Sequence, residues 1–170
     1  MKALIIGRFQ PLHKGHLNLA KKIQEKGYKL IIGIGNNGNK RTEKYPFTSK
    51  EIENMWEPYR EELNAEIHHI PDIPNDSDYA EHVEKITNCN EDETILVSGN
   101  KHTIECFTKY NRNYKILSPD DNILCDYPEI SGTLIRKLIK TDEEWKHLVP
   151  EGTKKIIEKI NGRAIIKKLC

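Results

Sequence analysis

Ala3-Leu4-Ile5-Ile6-Gly7-Arg8-Phe9-Gln10-Pro11-Leu12-His13-Lys14-Gly15-His16 is the stretch on which the fold turns. Its first four residues are a short apolar run stopped by Gly7, the pattern of a strand buried on both faces of a parallel sheet. Beyond the turn, Leu12, Leu17, Leu19, Ala20 and Ile23 fit one face of a helix that runs to about Lys26 and is closed by Gly27. His13 and His16 are three apart, so they share a face of the first helical turn. Unpaired N–H groups and the positive end of the helix dipole favour an anion there. Gly15 lets a bulky ligand approach the backbone, and Pro11 stiffens the entry to the turn. Imidazoles supply directed N–H donors to phosphate oxygens, with charge available if an anion raises their pKa. The strand in front and Arg8 alongside separate this arrangement from two surface histidines near a cap.

Working outward, short apolar runs alternate with amphipathic stretches. Strands are expected at 2–6, 29–34, 66–70, 94–98 and 114–117, and helices at 14–26, 49–63, 78–87, 101–110, 132–140 and 153–160. This alternation implies βαβ crossovers: an α/β, Rossmann-like, doubly wound parallel five-stranded sheet with C-terminal helices. In such a sheet ligands lie beyond the carboxyl ends of the strands. The loops that should reach that edge begin at Gly7, Gly35, Pro71 and Gly99, each marked by glycine or proline.

A second anion-binding helix start is legible in Ile130-Ser131-Gly132-Thr133-Leu134-Ile135-Arg136. Ser131 is a good N-cap, and Gly132 and Thr133 offer first-turn N–H groups and a hydroxyl. Arg136 lies one turn on, and helical side chains lean toward the N-terminus, so its guanidinium can reach back over the same anion. The polar loop 36–45 carries Lys40, Arg41 and Lys44 toward phosphates and is expected to close on a ligand. Thr48 and Glu51 form a capping box for the helix that follows, and Pro58 interrupts that helix.

The 170 residues fit one domain, 1–130 as the Rossmann-like core and 131–170 as a C-terminal helical part. Hydrophobic residues make up 36% and charged residues 31%, and no apolar run is long enough to span a bilayer. Met1-Lys2 leads straight into the first strand, leaving no room for a signal peptide, so a cytoplasmic location is expected. The net charge of +1 gives no field for nucleic acid. Lys154, Lys155, Lys159, Arg163, Lys167 and Lys168 read as a solvated helix face and tail. Cys89, Cys106, Cys125 and Cys170 are scattered without a CxxC pair and read as free thiols, with neither a zinc site nor a disulfide framework.

The His13-Lys14-Gly15-His16 string resembles the H-x-G-H element of the nucleotidyltransferase superfamily, and the longer string from Gly7 to His16 resembles the archaeal-type nicotinamide mononucleotide (NMN) adenylyltransferases. The stretch 130–136 is similar to the ISGTxIR element of the same superfamily. Ile32-Gly33-Ile34-Gly35, Ser98-Gly99-Asn100, Pro71-Asp72-Ile73 with Tyr79, and Glu144-Trp145-Lys146-His147-Leu148-Val149-Pro150 resemble further parts of the archaeal enzymes. The resemblance implies direct attack of the NMN phosphate on the α-phosphorus of ATP, giving NAD and pyrophosphate. An ionised phosphate needs no general base, so catalysis rests on positioning and charge neutralisation.

Carried onto this chain, the resemblance makes His13, His16, Arg8 and Arg136 catalytic: the histidines on the α- and β-phosphates, the arginines on the triphosphate and leaving group. It places Gly7, Phe9, Gly15, Lys44, Gly99, Asn100, Ser131, Gly132 and Thr133 around ATP, and Gly35, Asn36, Phe47 and Tyr79 around NMN. Mg²⁺ is expected to ride on the ATP phosphates without direct protein ligands. ATP and NMN are the implied small-molecule partners, with no nucleic acid or membrane, and a homo-oligomer is permitted. The chain departs from the family where Lys50-Glu51-Ile52 replaces a Gly-Glu-Arg run, where Tyr45 precedes Pro46, and where Tyr79 stands in place of a tryptophan. These departures cluster near the acceptor. The alternatives are therefore a transferase using another phosphorylated acceptor, such as phosphopantetheine, FMN or a polyol phosphate, and a non-catalytic ATP-binding sensor.

Overall fold

The computed structural model describes residues 1–119, 126 and 129–169. Its elements run β1 (Lys2–Gly7), α1 (Lys14–Glu25), β2 (Lys29–Asn36), α2 (Ser49–Trp56), β3 (Glu66–Pro71), α3 (Asp76–Thr87), β4 (Thr94–Val97), α4 (Lys101–Thr108), β5 (Lys115–Leu117), α5 (Gly132–Thr141), α6 (Glu151–Lys159) and α7 (Gly162–Lys168). The five strands form one sheet in the order β3-β2-β1-β4-β5, all pairs parallel. This is the expected doubly wound α/β architecture, and the strand order reverses between β1 and β4.

Both faces of the sheet are covered, which is why its central strands β1, β2 and β4 read as nearly unbroken apolar runs rather than alternating ones, whereas the edge strand β3 carries Glu66, His68 and His69. Ala3 and Ile5 of β1 and Leu30, Ile32 and Ile34 of β2 face one core, shared with Leu19, Ala20 and Ile23 of α1, Ile52, Met55 and Trp56 of α2, and Ile135, Ile139, Ile157 and Ile166 of the C-terminal helices. Leu4, Ile31, Ile70 and Leu96 face the other, against Ala80 and Val83 of α3 and Cys106 and Phe107 of α4. The C-terminal helices thus share a core with the sheet.

Most bounds shift by one or two residues, and two departures are larger. Helix α2 ends at Trp56 and tightens into a 3-10 turn over Glu57–Tyr59, because the proline ring at 58 cannot continue an α-helical ladder. The segment read as a basic tail contains α7, which buries Gly162 and Ile166. A Cβ at Gly162 would lie 2.9 Å from Ile157 Cγ2 and 3.3 Å from the Phe47 ring, so the close approach requires glycine. Periodicity over so short a helix is too weak to announce it. Cys89 and Cys106 are buried free thiols. Cys125 and Cys170 lie outside the described residues.

Candidate active site

The turn after β1 is built inward. Phe9 takes φ +48°, uncommon for a bulky residue and sustained here by burial, and its ring lies 4% exposed beneath Gly7. A Cβ at Gly7 would come within 2.9 Å of that ring, so the first glycine of the motif is there to admit Phe9. The ring meets Trp56 edge-on at 5.3 Å and His16 edge-on at 5.0 Å. Phe9 therefore presents only backbone toward the sheet edge, and its side chain backs an imidazole.

His13 is the N-cap of α1. Its Nδ1 accepts from the His16 amide and His16 Nδ1 accepts from the His13 amide, both at a long 3.4 Å, a capping box built from two imidazoles. The rings stack at 3.5 Å between centroids. Accepting at Nδ1 leaves the ring proton on Nε2, the nitrogen then available to donate to a ligand. Burial pushes His13 down to about 4. Burial, then the neighbouring His13, pushes His16 well below the usual imidazole range. At neutral pH both are therefore uncharged N–H donors until an anion arrives.

This neutrality has a cost in acid. The unfolded chain takes up a proton near pH 6.5 that the folded His13 refuses until about 4, so stability is complete above 6.5 and falls as pH drops through that window. On going from pH 7 to pH 5, the His13 contribution lost is about 2 kcal/mol. Urea unfolding at the two pH values should show it, and a His13→Asn variant, which retains a capping oxygen without titrating, should lose correspondingly less. Equal losses in the two proteins would remove His13 as the cause.

Gln10, 8% exposed, ties the turn to its surroundings. Its side chain donates to the Phe47 carbonyl at 2.8 Å and accepts from the Phe47 amide at 3.0 Å. Its own carbonyl accepts from Arg136 Nη1 at 2.6 Å. Arg136 also donates through Nη2 to Thr133 Oγ1 at 3.2 Å, so the guanidinium leans back over the start of α5 as its spacing predicts. Ser131 caps that helix, accepting from the Leu134 amide at 3.2 Å. A Cβ at Gly132 would lie 2.7 Å from the Gln10 carbonyl oxygen, so the two helix starts can meet only because 132 is glycine.

Two of the cavities are lined by expected site residues, and neither lining includes His13 or His16. One, about 360 Å³, lies among Lys44, Thr133, Arg136, Lys137 and Lys140, with Glu43 opposing the cations. The other, about 440 Å³, lies along the strand ends, and Gly7, Arg8, Gly35, Tyr79 and Asn100 are in its wall. Arg8 crosses over Gly35, where an added Cβ would sit 3.4 Å from its Cδ, and Nη2 reaches both carboxylate oxygens of Asp72 at 2.6 and 2.7 Å. The Tyr45 ring lies 4.9 Å from the guanidinium carbon. Tyr79 packs edge-on to Phe107 at 6.1 Å, and burial pushes its phenol up to about 12, so it is neutral.

The remaining expected residues are distributed as follows. Gly15 lies in the first turn of α1, and Gly99 is exposed before α4. Asn100 caps α4, accepting from the Thr103 amide at 3.0 Å. Asn36 closes a turn by accepting from the Gly38 amide at 3.1 Å, and its carbonyl accepts from the Asp72 amide at 2.9 Å. Phe47 is 3% exposed, so its side chain is core and only its neighbours reach the site. Lys44 lies 5.4 Å from the Tyr45 ring. Arg41 is drawn away by Glu51, at 2.7 and 2.8 Å, and fastens the loop to the start of α2. The reading of residues gave no role to Gln10, Lys137 or Lys140, and it met Asp72 only as part of the Pro71-Asp72-Ile73 segment. Gln10 stood inside the opening motif, and its two-sided bond to the Phe47 backbone is the kind of pairing that no spacing reveals.

Among the described residues no helix is long and apolar enough to cross a membrane. The cytidylyltransferase-like family model matches residues 4–138. A nicotinamide-nucleotide adenylyltransferase of Methanococcus maripaludis strain C5 is 38% identical over 170 residues, covering 99% of this chain and 95% of that protein. One of Picrophilus torridus is 34% identical, covering 99% and 97%. Among solved structures, a bifunctional NMN adenylyltransferase/ADP ribose pyrophosphatase from Francisella tularensis, complexed with AMP and a manganese ion, aligns with a TM-score of 0.74 at 22% identity. That alignment covers 99% of this chain but 51% of the other, and it shows a shared fold. With full-length relatives at 34–38% identity and two helix starts meeting at Gln10, the chain belongs to the cytidylyltransferase-like nucleotidyltransferases, in the archaeal-type nicotinamide-nucleotide adenylyltransferase family of enzymes.

Proposed function

We propose that the chain joins NMN to ATP, the NMN phosphate oxygen attacking the α-phosphorus and pyrophosphate departing. The observation that carries this reading is the bond between Arg136 and the Gln10 carbonyl, which brings a fixed guanidinium and two N-terminal helix ends to the imidazole pair. His13 and His16 donate to the α- and β-phosphates through Nε2, and Arg136 neutralises the leaving pyrophosphate. The cationic cavity beside Lys44, Lys137 and Lys140 suits the distal phosphates.

Arg8 lies in the wall of the larger cavity, held by Asp72, and this position favours the acceptor's phosphate over the leaving group for it. A phosphate entering there competes with Asp72 for the guanidinium. Tyr79, in the same wall, offers an aromatic face to the pyridinium ring. The only grouping of three metal-binding side chains among the described residues is remote in sequence from His13 and His16 and contains a thiol, so it does not suit Mg²⁺. A hard divalent cation carried on the substrate phosphates would screen their charge.

Pyrophosphate release measured with ATP, Mg²⁺ and a panel of phosphorylated acceptors tests the reading. NMN should give the highest kcat/KM. Greater turnover with phosphopantetheine, FMN or a polyol phosphate would transfer the scaffold to that acceptor, and no release with any of them would leave a nucleotide sensor. Within this scheme Tyr79→Ala should raise KM for NMN by about tenfold, the loss of roughly 1.4 kcal/mol of ring contact, with KM for ATP nearly unchanged. Tyr79→Phe should retain wild-type behaviour. Equal effects of Tyr79→Ala on both substrates would mark Tyr79 as a packing residue.

A further inference from the structure

Asp76, His102 and Cys106 do not belong to the machinery described so far, yet their donor atoms all lie within 4.8 Å of one another. His102 and Cys106 are four apart on α4 and so share one face, while Asp76 is the first residue of α3, which packs alongside. His102 Nε2 already approaches Asp76 Oδ1 to 3.4 Å. All three residues are in the wall of the 440 Å³ cavity that holds Arg8 and Tyr79.

We propose that these three side chains form a binding site for a divalent transition-metal ion of the zinc or cobalt class, seated in the wall of the larger cavity. Thiolate, imidazole and carboxylate form a mixed S/N/O set that suits borderline ions and not Mg²⁺ or Ca²⁺. Bond lengths of about 2.0 to 2.3 Å place tetrahedral donors roughly 3.3 to 3.8 Å apart, so the three must draw together by about an ångström. The side chains that have to move are the ones free to do so: His102 is 68% and Asp76 53% exposed, whereas Cys106 is 3% exposed and anchored in the helix pair. The cavity leaves a fourth position open to water or to a ligand group, the pattern of a site that can exchange its last ligand. On binding, the Cys106 thiol releases its proton to solvent as the sulfur–metal bond forms.

The ion and an acceptor would occupy the same space. This consequence, unlike the site itself, rests on placing NMN in the larger cavity. An enzyme with its acceptor seat filled by such an ion would be inhibited in competition with NMN.

The test is titration of the full, reduced chain with Co²⁺, followed by absorbance. The expected result is one ion per chain, with a thiolate-to-cobalt charge-transfer band in the near ultraviolet. Cys106→Ser should abolish that band, and His102→Ala should weaken binding by about tenfold or more. The thermal midpoint of each metal-free variant should confirm that it folds. No charge-transfer band in the wild-type chain, or a band that survives in Cys106→Ser and so arises from another cysteine, overturns the site. Repeating the titration with saturating NMN, at buffered free Co²⁺, should raise the apparent Kd. An unchanged curve overturns the shared seat while the spectrum still decides the site, so failure of the acceptor reading and failure of the metal site remain distinguishable.

Discussion

His16→Ala is expected to lower kcat by about 10²-fold or more, the usual cost of removing an electrostatic donor that meets charge as it develops. The His13 amide bonds to His16 Nδ1 and so leaves Nε2 as the donor. Stacking on His13 at 3.5 Å and the edge of Phe9 at 5.0 Å restrict the ring, so little reorganisation remains for the moment of reaction. Charge moves from the attacking phosphate to the departing pyrophosphate, and a donor placed between them gains most in the transition state. KM for ATP should therefore change much less than kcat. The substitution also removes half of the capping box, which costs about 1 kcal/mol of stability and leaves the protein folded. Near-wild-type turnover would remove His16 from the chemistry.

Arg136→Met should cost a similar or larger factor, about 10² to 10³ in kcat, because a guanidinium that neutralises a departing phosphate is among the stronger single contributions to phosphoryl transfer. Arg136→Lys should recover only part of it. The ammonium keeps the charge but cannot hold both the Gln10 carbonyl, at 2.6 Å, and Thr133 Oγ1, at 3.2 Å, in a planar fork while facing an anion. Methionine leaves the Gln10 carbonyl without its partner, a penalty of about 1 to 3 kcal/mol. Kinetics are therefore to be compared well below the unfolding midpoint of each variant, and a loss of stability with unchanged kcat would make Arg136 a strut between the two helix starts rather than a catalytic residue.

Much of the architecture is legible along the chain. Residues 2–6, 29–34 and 94–98 read as strands because burial on both faces leaves no place for polar alternation, and their observed bounds shift by one or two residues. Thr48 with Glu51, and Ser131 before Gly132, announce helix starts because a cap is satisfied within four residues of itself. Helix α7 escaped because seven residues carry too little periodicity, and its burial depends on α5 and α6 being in place.

Sequence alone determined the residue types of the site and the helix starts that present them: two imidazoles one turn apart after a glycine turn, and an arginine one turn after a serine cap. These are local matters of spacing and hydrogen bonding. Only the tertiary structure decided what each side chain faces. The order β3-β2-β1 sets Gly35 between Arg8 and Asp72, and the missing side chain there lets the guanidinium cross to the carboxylate. Gln10 takes hold of Phe47 and Arg136 across the fold, and α3 beside α4 brings Asp76 to His102 and Cys106. Such pairings join residues far apart in the chain through the packing of whole elements, and no local pattern of residues encodes them.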